Sequence, residues 1–352
     1  MSLPSRSARI ARRVLVALAV VLGLVAGLAG PASADPPGPT DYRSQIDDIV
    51  PNTDGFRASI VGGDGFLLLE VADGTTVEVP GYDGDPYLRF RDDGTVEENQ
   101  SSPTAFLNQS RTRTDASGVN AGAEPRWKVV ATDGRWAWHD HRIHFMGGEV
   151  AEAARTDQGV GWEVPMVVDG EEVVITGDYR LIDAPSPLPW FALALVVAVA
   201  VGLGMSRLVP AVPAAGVVLL FAGIGGVVAG AAQRSESPPG ASTSTLVVIL
   251  PAIAVIAGVV VLIGRSRVLR GVVALAGAAA LGGWALVRIQ VLWKALLPTS
   301  LPASVDRSMT AVALGAVIGV AALIIRSGTL APDLSDLDEP ASEAGPAASA
   351  PA

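Results

Sequence analysis

The sequence predicts a two-part membrane protein. An all-β extracytoplasmic domain, an antiparallel sandwich of immunoglobulin-like kind, precedes an α-helical transmembrane bundle of about five helices. Three observations predict it. Half of the 352 residues are apolar, more than a soluble chain of this length usually carries. Those residues are gathered into one block before Gly30 and several between Leu188 and Ile325. The stretch between, Asp35 to Pro187, is polar, rich in Gly, Asp and Thr, and broken into short runs by turn residues.

The N-terminal block reads as a signal peptide, residues 1–34. Arg6, Arg9, Arg12 and Arg13 form a basic region, Val14 to Leu28 an apolar one, and Ala32-Ser33-Ala34 a small-residue cleavage site before Asp35. An uncleaved anchor helix is the alternative, and it exports the next segment equally well.

The β domain is expected over residues 35–185. Its first residues, to about 55, carry several prolines and read as a loose lead-in. Strand-like runs follow. Phe56 to Val61 ends at Gly62-Gly63-Asp64-Gly65, and Phe66 to Val71 ends at Asp73-Gly74. Thr75 to Val79 alternates, and Tyr87 to Arg91 ends at Asp92-Asp93-Gly94. Trp127 to Ala131, Arg135 to His139, Gly161 to Val168 and Glu171 to Leu181 complete the set. The last two flank Asp169-Gly170, a strong hairpin signal. Many short strands with regular turns indicate a sandwich or barrel. No helical period stands out, and residues 108–124 read as a long polar loop.

Pro185, Pro187 and Pro189 make a stiff joint into the membrane, and Trp190 is a fitting interfacial aromatic. The bundle is expected over residues 186–328, with spans Trp190–Met205, Val212–Ala231, Leu246–Ile263, Leu269–Val287 and Met309–Ile325. Arg265, Arg267 and Arg270 lie between spans three and four, which puts that loop inside, together with Arg207 and Arg326. Arg234, Arg288, Lys294 and Arg307 fall outside, so the rule is obeyed in part. Five spans leave the C-terminus in the cytoplasm, and residues 329–352 read as a disordered tail. Val291 to Arg307 is too apolar for a plain loop. It is expected to lie on the membrane surface, to pack under the β domain, or to extend span four. The span centres lack ionisable residues, which disfavours a pump or coupled transporter. Their many Gly and Ala residues favour close helix packing.

Composition excludes other classes. Net charge is −10 with no long basic run, so nucleic acid is not an expected partner. Cysteine is absent, which removes disulfides, zinc–thiolate sites, iron–sulfur clusters and blue copper. The chain has no Gly-x-Ser-x-Gly, phosphate-binding loop or His-Glu-x-x-His. An enzyme is not expected.

The chemical clue is a cluster. All three histidines, His139, His141 and His144, lie within six residues, in Trp136-Ala-Trp-His-Asp-His-Arg-Ile-His-Phe-Met146. Three imidazoles without thiolate suit Cu(II), Zn(II) or Ni(II), and Met146 would add a soft thioether that favours Cu(I). On a regular strand His139 and His141 share one face and His144 points to the other. A three-histidine site therefore needs a bulge or turn between His141 and His144. A two-histidine site would borrow Glu149, Asp140 or Asp178. The alternatives are a hydrogen-bonded network with Asp140 and Arg142 that fixes a strand end, or a proton-dependent switch.

A second block, Gly81-Tyr-Asp-Gly-Asp-Pro-Tyr-Leu-Arg89, is followed by Glu98-Asn-Gln-Ser-Ser-Pro103. Asp85, Tyr87, Arg89, Glu97 and Asn99 could approach the histidines; turn and hairpin chemistry is the plainer reading, with Arg89 paired to Glu97. With the tryptophan–histidine block, these motifs resemble a family of actinobacterial exported membrane proteins. The family motifs are Gly-Tyr-x-Gly-x-Pro-Tyr-Leu-Arg, Glu-Asn-x-x-Ser-Pro and Trp-His-Asp-His-Arg-x-His-aromatic-Met. All are matched, with Phe145 where Trp is usual, and the resemblance runs from about residue 56 to the last span. It implies an exported, membrane-anchored protein, adds a loose association with copper handling, and implies no reaction.

The leading expectation is a membrane-anchored extracytoplasmic metal-binding protein, foremost for copper, with His139, His141, His144 and Met146 as ligands and the lipid bilayer as its surroundings. It would sequester the metal or pass it to a membrane or exported protein partner. The alternative is a non-enzymatic envelope protein whose β domain binds a protein and whose histidines are structural.

Overall fold

Turn residues with positive φ divide the first half of the chain into strands, and long apolar runs make the second half helical. The computed structural model describes residues 37–329 apart from 111, 112, 118, 120, 121, 148, 206, 208, 242 and 243. The expected signal peptide, and all but the first residue of the expected tail, lie outside them.

Ten strands form the β domain: β1 (Tyr42–Val50), β2 (Phe56–Val61), β3 (Phe66–Val71), β4 (Val77–Pro80), β5 (Pro86–Phe90), β6 (Val96–Asn99), β7 (Trp127–Ala131), β8 (Arg135–Trp138), β9 (Val160–Val168) and β10 (Glu171–Leu181). A seven-stranded sheet runs β1-β10-β9-β4-β5-β6-β7, and a three-stranded sheet runs β2-β3-β8. All pairs are antiparallel. The expected sandwich is present. Its strands divide seven and three, where a constant-type immunoglobulin domain divides four and three.

Period-two alternation builds the core. Trp162, Val164, Met166 and Val168 of β9 point inward while Glu163 and Pro165 face out. They meet Leu67 and Leu69 of β3 and Val173 and Ile175 of β10. The β9–β10 hairpin turns on Asp169 and Gly170, both at positive φ, as a two-residue turn demands. Opposite Trp162 sits Gly177, where a Cβ would overlap both the Gln45 carbonyl oxygen and the indole ring.

Three elements correct the sequence reading. The expected lead-in contains β1, which pairs with β10 and carries a bulge between Ile46 and Asp48. The bulge breaks its alternation, and Asp47 and Asp48 disguise it as loop. β6 holds two glutamates, of which Glu97 binds Arg89 and Arg91, each at 2.6 Å. A short helix, α1 (Pro103–Leu107), is capped by the Ser102 hydroxyl.

The bundle follows the expected five spans: α2 (Leu188–Val199, continued by a π-helical turn to Met205), α3 (Ala211–Ser235), α4 (Leu246–Ile263), α5 (Arg267–Val287) and α6 (Ala303–Arg326). Each is long and apolar enough to cross a bilayer. Small residues let the backbones close in. A Cβ on Gly226 of α3 would strike Pro251 of α4, and one on Gly319 of α6 would strike Val201.

The last helix starts six residues before the expected span. That brings Asp306 and Arg307 into its first turn, both buried. Asp306 pairs at 2.5 Å with Arg288, itself buried after the end of α5, and Arg288 also donates to Gln233 of α3. Arg307 donates to the carbonyls of Val291 and Lys294, at 3.1 and 2.8 Å. Two cations that strained the charge rule are thus interior fastenings. The segment after α5 packs under the β domain: Thr40 and Leu296 exchange two backbone hydrogen bonds, at 3.0 and 2.9 Å, and Lys294 pairs with Asp41 at 2.6 Å.

The same contact explains β3. Its run Phe66-Leu-Leu-Leu69 is buried on both faces. Leu67 and Leu69 face the sandwich core, while Phe66 and Leu68 pack with Ala137 and Ala241, the latter from the loop joining α3 and α4.

Two substitutions test this packing. Gly177→Ala is expected to destabilise the β domain by about 1–3 kcal/mol, the usual cost of overpacking, read as a lower thermal midpoint. Asp306→Ala is expected to cost about 3–5 kcal/mol, because it leaves Arg288 buried without its carboxylate; an unchanged midpoint in detergent contradicts the pin.

Candidate metal centre

The chain leaves β8 at Trp138 and turns at once. Asp140 causes the turn. Its side chain accepts from the Arg142 backbone N–H at 3.0 Å and caps a 3₁₀ turn over His141–Ile143. The Arg142 guanidinium closes back on it in a two-point pair, at 2.9 and 2.7 Å, and the Trp138 indole N–H donates to it at 2.8 Å. Burial pushes the Asp140 carboxyl up, but Arg142 and these donors outweigh it and hold it below the ordinary carboxylate value.

This turn breaks the strand alternation that would have sent His144 away from His139. The rings of His139 and His144 lie 4.7 Å apart centre to centre, with His141 at 5.9 and 5.3 Å from them. One nitrogen from each ring falls within 4.8 Å of the others. His139 and His144 are buried and His141 half-buried.

Backbone carbonyls hold the rings. His139 Nδ1 meets the Gly65 carbonyl. His141 Nε2 lies 3.1 Å from the Ser110 carbonyl, and His144 Nδ1 lies 3.1 Å from that of Phe145. A carbonyl only accepts, so each contacting nitrogen carries the proton. In the neutral rings the lone pairs then belong to Nε2 of His139, Nδ1 of His141 and Nε2 of His144. This is the outer-shell arrangement that orients metal-bound histidines. The fit to one ion requires small movements: nitrogens ~2.0 Å from a tetrahedral ion lie about 3.3 Å apart.

Tyr82 is the neighbour that sequence reasoning missed. Its hydroxyl accepts from the His141 backbone N–H at 2.8 Å and donates to Asn108. Its ring stacks on the His141 imidazole, 5.8 Å away and 21° from parallel. Arg142 lies over the phenol at 5.1 Å. Burial raises the Tyr82 hydroxyl far above its ordinary value, so it stays protonated. The Gly81-Tyr-Asp-Gly motif contained this residue, but nothing in one sequence separates it from Tyr87.

The other candidates have structural work. Asp85 binds the Ser102 and Thr104 hydroxyls at the start of α1. Tyr87 is buried edge-on to Trp138. Arg89 and Glu97 are cross-strand partners. Asn99 donates to the Pro86 carbonyl at 2.7 Å and accepts from the Arg126 backbone. Asp178 is held by Arg180 at 2.6 Å, and Glu149 is exposed. Among the described histidines and carboxylates, the group of converging ligand atoms contains only the three histidines. Met146 follows them, half-buried, and Phe145 stacks on Tyr42 at 4.8 Å.

Comparison with family models, with curated proteins and with solved structures finds no match.

Removing the turn's organiser is expected to unmake the site. Asp140→Ala strips a buried guanidinium of its partner, which costs about 3–5 kcal/mol. Thermal melts should show that loss, while Glu149→Ala, at an exposed position, should leave the midpoint within the small range of surface substitutions.

Proposed function

We propose that this membrane protein carries an extracytoplasmic copper site, which sequesters copper or passes it to a partner. His139, His141 and His144 are its ligands, with Met146 as the fourth. The observation that carries this reading is the convergence of three imidazoles, each with a ring nitrogen tied to a backbone carbonyl.

Copper is favoured by the donor set and by charge. Imidazole with thioether suits copper better than the oxygen-seeking ions. Asp140, which stands between His139 and His141 in the chain, is already neutralised by Arg142, so it brings no net negative charge to the ligands. Burying a monovalent ion among neutral ligands costs less than burying a divalent one. Cu(I) is therefore the preferred state. The extracytoplasmic placement is supported by Arg265, Arg267, Arg270 and Arg326, which lie at the bundle end away from the β domain. At the near end, Arg288, Arg307 and Lys294 are engaged in internal bonds. No reaction is assigned.

A second reading rests on the same carbonyl bonds. Ring-to-carbonyl bonds and the Asp140–Arg142 pair would also fix the turn with no ion, leaving the β domain to bind a protein.

Copper titration of the detergent-solubilised full chain, beside His141→Ala and His139→Ala/His141→Ala, separates the two. One tight equivalent is expected in the native chain, lost in the variants while the β-sheet signal remains. Binding no tighter than to the unfolded chain would leave the structural reading. Tyr82→Phe is expected to weaken copper affinity about tenfold, the lower end of outer-shell effects, with the fold retained; unchanged affinity would remove Tyr82 from the site.

A further inference from the structure

The histidine segment is gripped at both ends by parts of the chain that rest on the membrane bundle. At its start, the Ala137 N–H donates to the Pro239 carbonyl at 3.2 Å. Trp136 lies against Gly240, where a Cβ would stand 2.7 Å from the indole. Both bundle residues belong to the loop between α3 and α4. At its end, Phe145, whose carbonyl holds His144, stacks on Tyr42. Tyr42 follows Asp41, which binds the Lys294 ammonium at 2.6 Å and the Ala295 N–H at 2.9 Å.

The third grip is on the anchor of His139. Gly65 closes the turn Gly62-Gly63-Asp64-Gly65. The Gly63 carbonyl accepts from Ser44 N–H at 2.8 Å, and Gly63 packs against Thr40 and Leu296 so closely that a Cβ would stand 2.6 Å from one and 3.2 Å from the other. Thr40 and Leu296 are themselves the bridge between β domain and bundle. Lys294 and Ala295 are in turn held by Arg307, in the first turn of α6.

We infer that metal binding at the histidine cluster and seating of the β domain on the bundle are linked: the seated domain holds the three imidazoles ready, and the bound ion in turn tightens the seam. The inference rests on the copper reading above. The physical reason is differential affinity. Loosening the seam frees the turn that carries Gly65 and the stack that carries Phe145, so the rings lose their orientation. An ion that binds the oriented rings better must favour the seated state, and by reciprocity the seated state must favour the ion. The seam is thereby the route through which a bundle-bound partner could release the metal without touching it.

The test uses the full chain in detergent, with Cu(I) as the probe under reducing conditions and a competing chelator. Asp41→Asn/Lys294→Gln loosens one arm and Gly240→Ala the other, and neither touches a ligand. Each variant is expected to bind Cu(I) at least fivefold more weakly, the lower range of coupling between sites. In the unmutated chain, Cu(I) is expected to slow amide exchange at residues 240–241 and 291–297. This second readout stands even where a variant fails to fold. Equal affinities, with exchange at the seam unmoved by Cu(I), overturn the linkage and leave the copper site intact. An unmutated chain that binds no Cu(I) overturns the copper reading, and the linkage with it.

Discussion

Asp140 accepts hydrogen bonds from an indole, a backbone amide and both arms of a guanidinium, all within the interior of the β domain. A buried carboxylate survives only when so satisfied. Once it is, the chain after β8 must turn, and the turn sets the direction of each histidine. His139 falls before it, His141 on it and His144 after it. Tyr82 then fixes the turn from the far side, through the His141 amide and ring. The cluster is thus assembled by an ion pair that cannot itself serve as a ligand.

The bundle is built on a different constraint. Its helices approach through glycine and alanine, and its buried ionisable groups, Arg288, Asp306 and Arg307, lie at one end. Arg288, Asp306 and Gln233 join α5, α6 and α3 there, and Arg307 clamps the segment that meets β1. Interior charge is costly in an apolar bundle, so its confinement to the end beneath the β domain is a strong feature. It makes that end a rigid seat, and the three-stranded sheet rests its outer face on the seat through Phe66, Leu68 and Ala137.

Much of this was legible in the residues. The five spans needed only length and hydropathy. β2, β3, β7 and β10 match their expected bounds to the residue because runs of apolar and β-branched residues are punctuated by turn residues there. β1 was hidden by its bulge and its acids, and β6 by glutamates whose polarity is absorbed by Arg89 and Arg91. At the site, the need for a turn between His141 and His144 followed from strand geometry alone. That Asp140 would supply it, and Tyr82 secure it, did not. Asp140 acts on its near neighbours Trp138 and Arg142, two positions away on either side, and Tyr82 acts on His141 from 59 positions away; strand periodicity carries no record of either contact. The apolar run of β3 read as an ordinary strand, since its second buried face is covered by the bundle rather than by the sandwich.

The central claim is that three imidazoles close on one ion. X-ray absorption at the copper edge of the loaded full chain tests it most directly. The account predicts a shell of three nitrogens at ~2.0 Å, within the usual range for imidazole ligation, with the outer scattering of imidazole rings and a longer sulfur contribution from Met146. A shell of oxygens without ring scattering would contradict it and return the histidines to the fold.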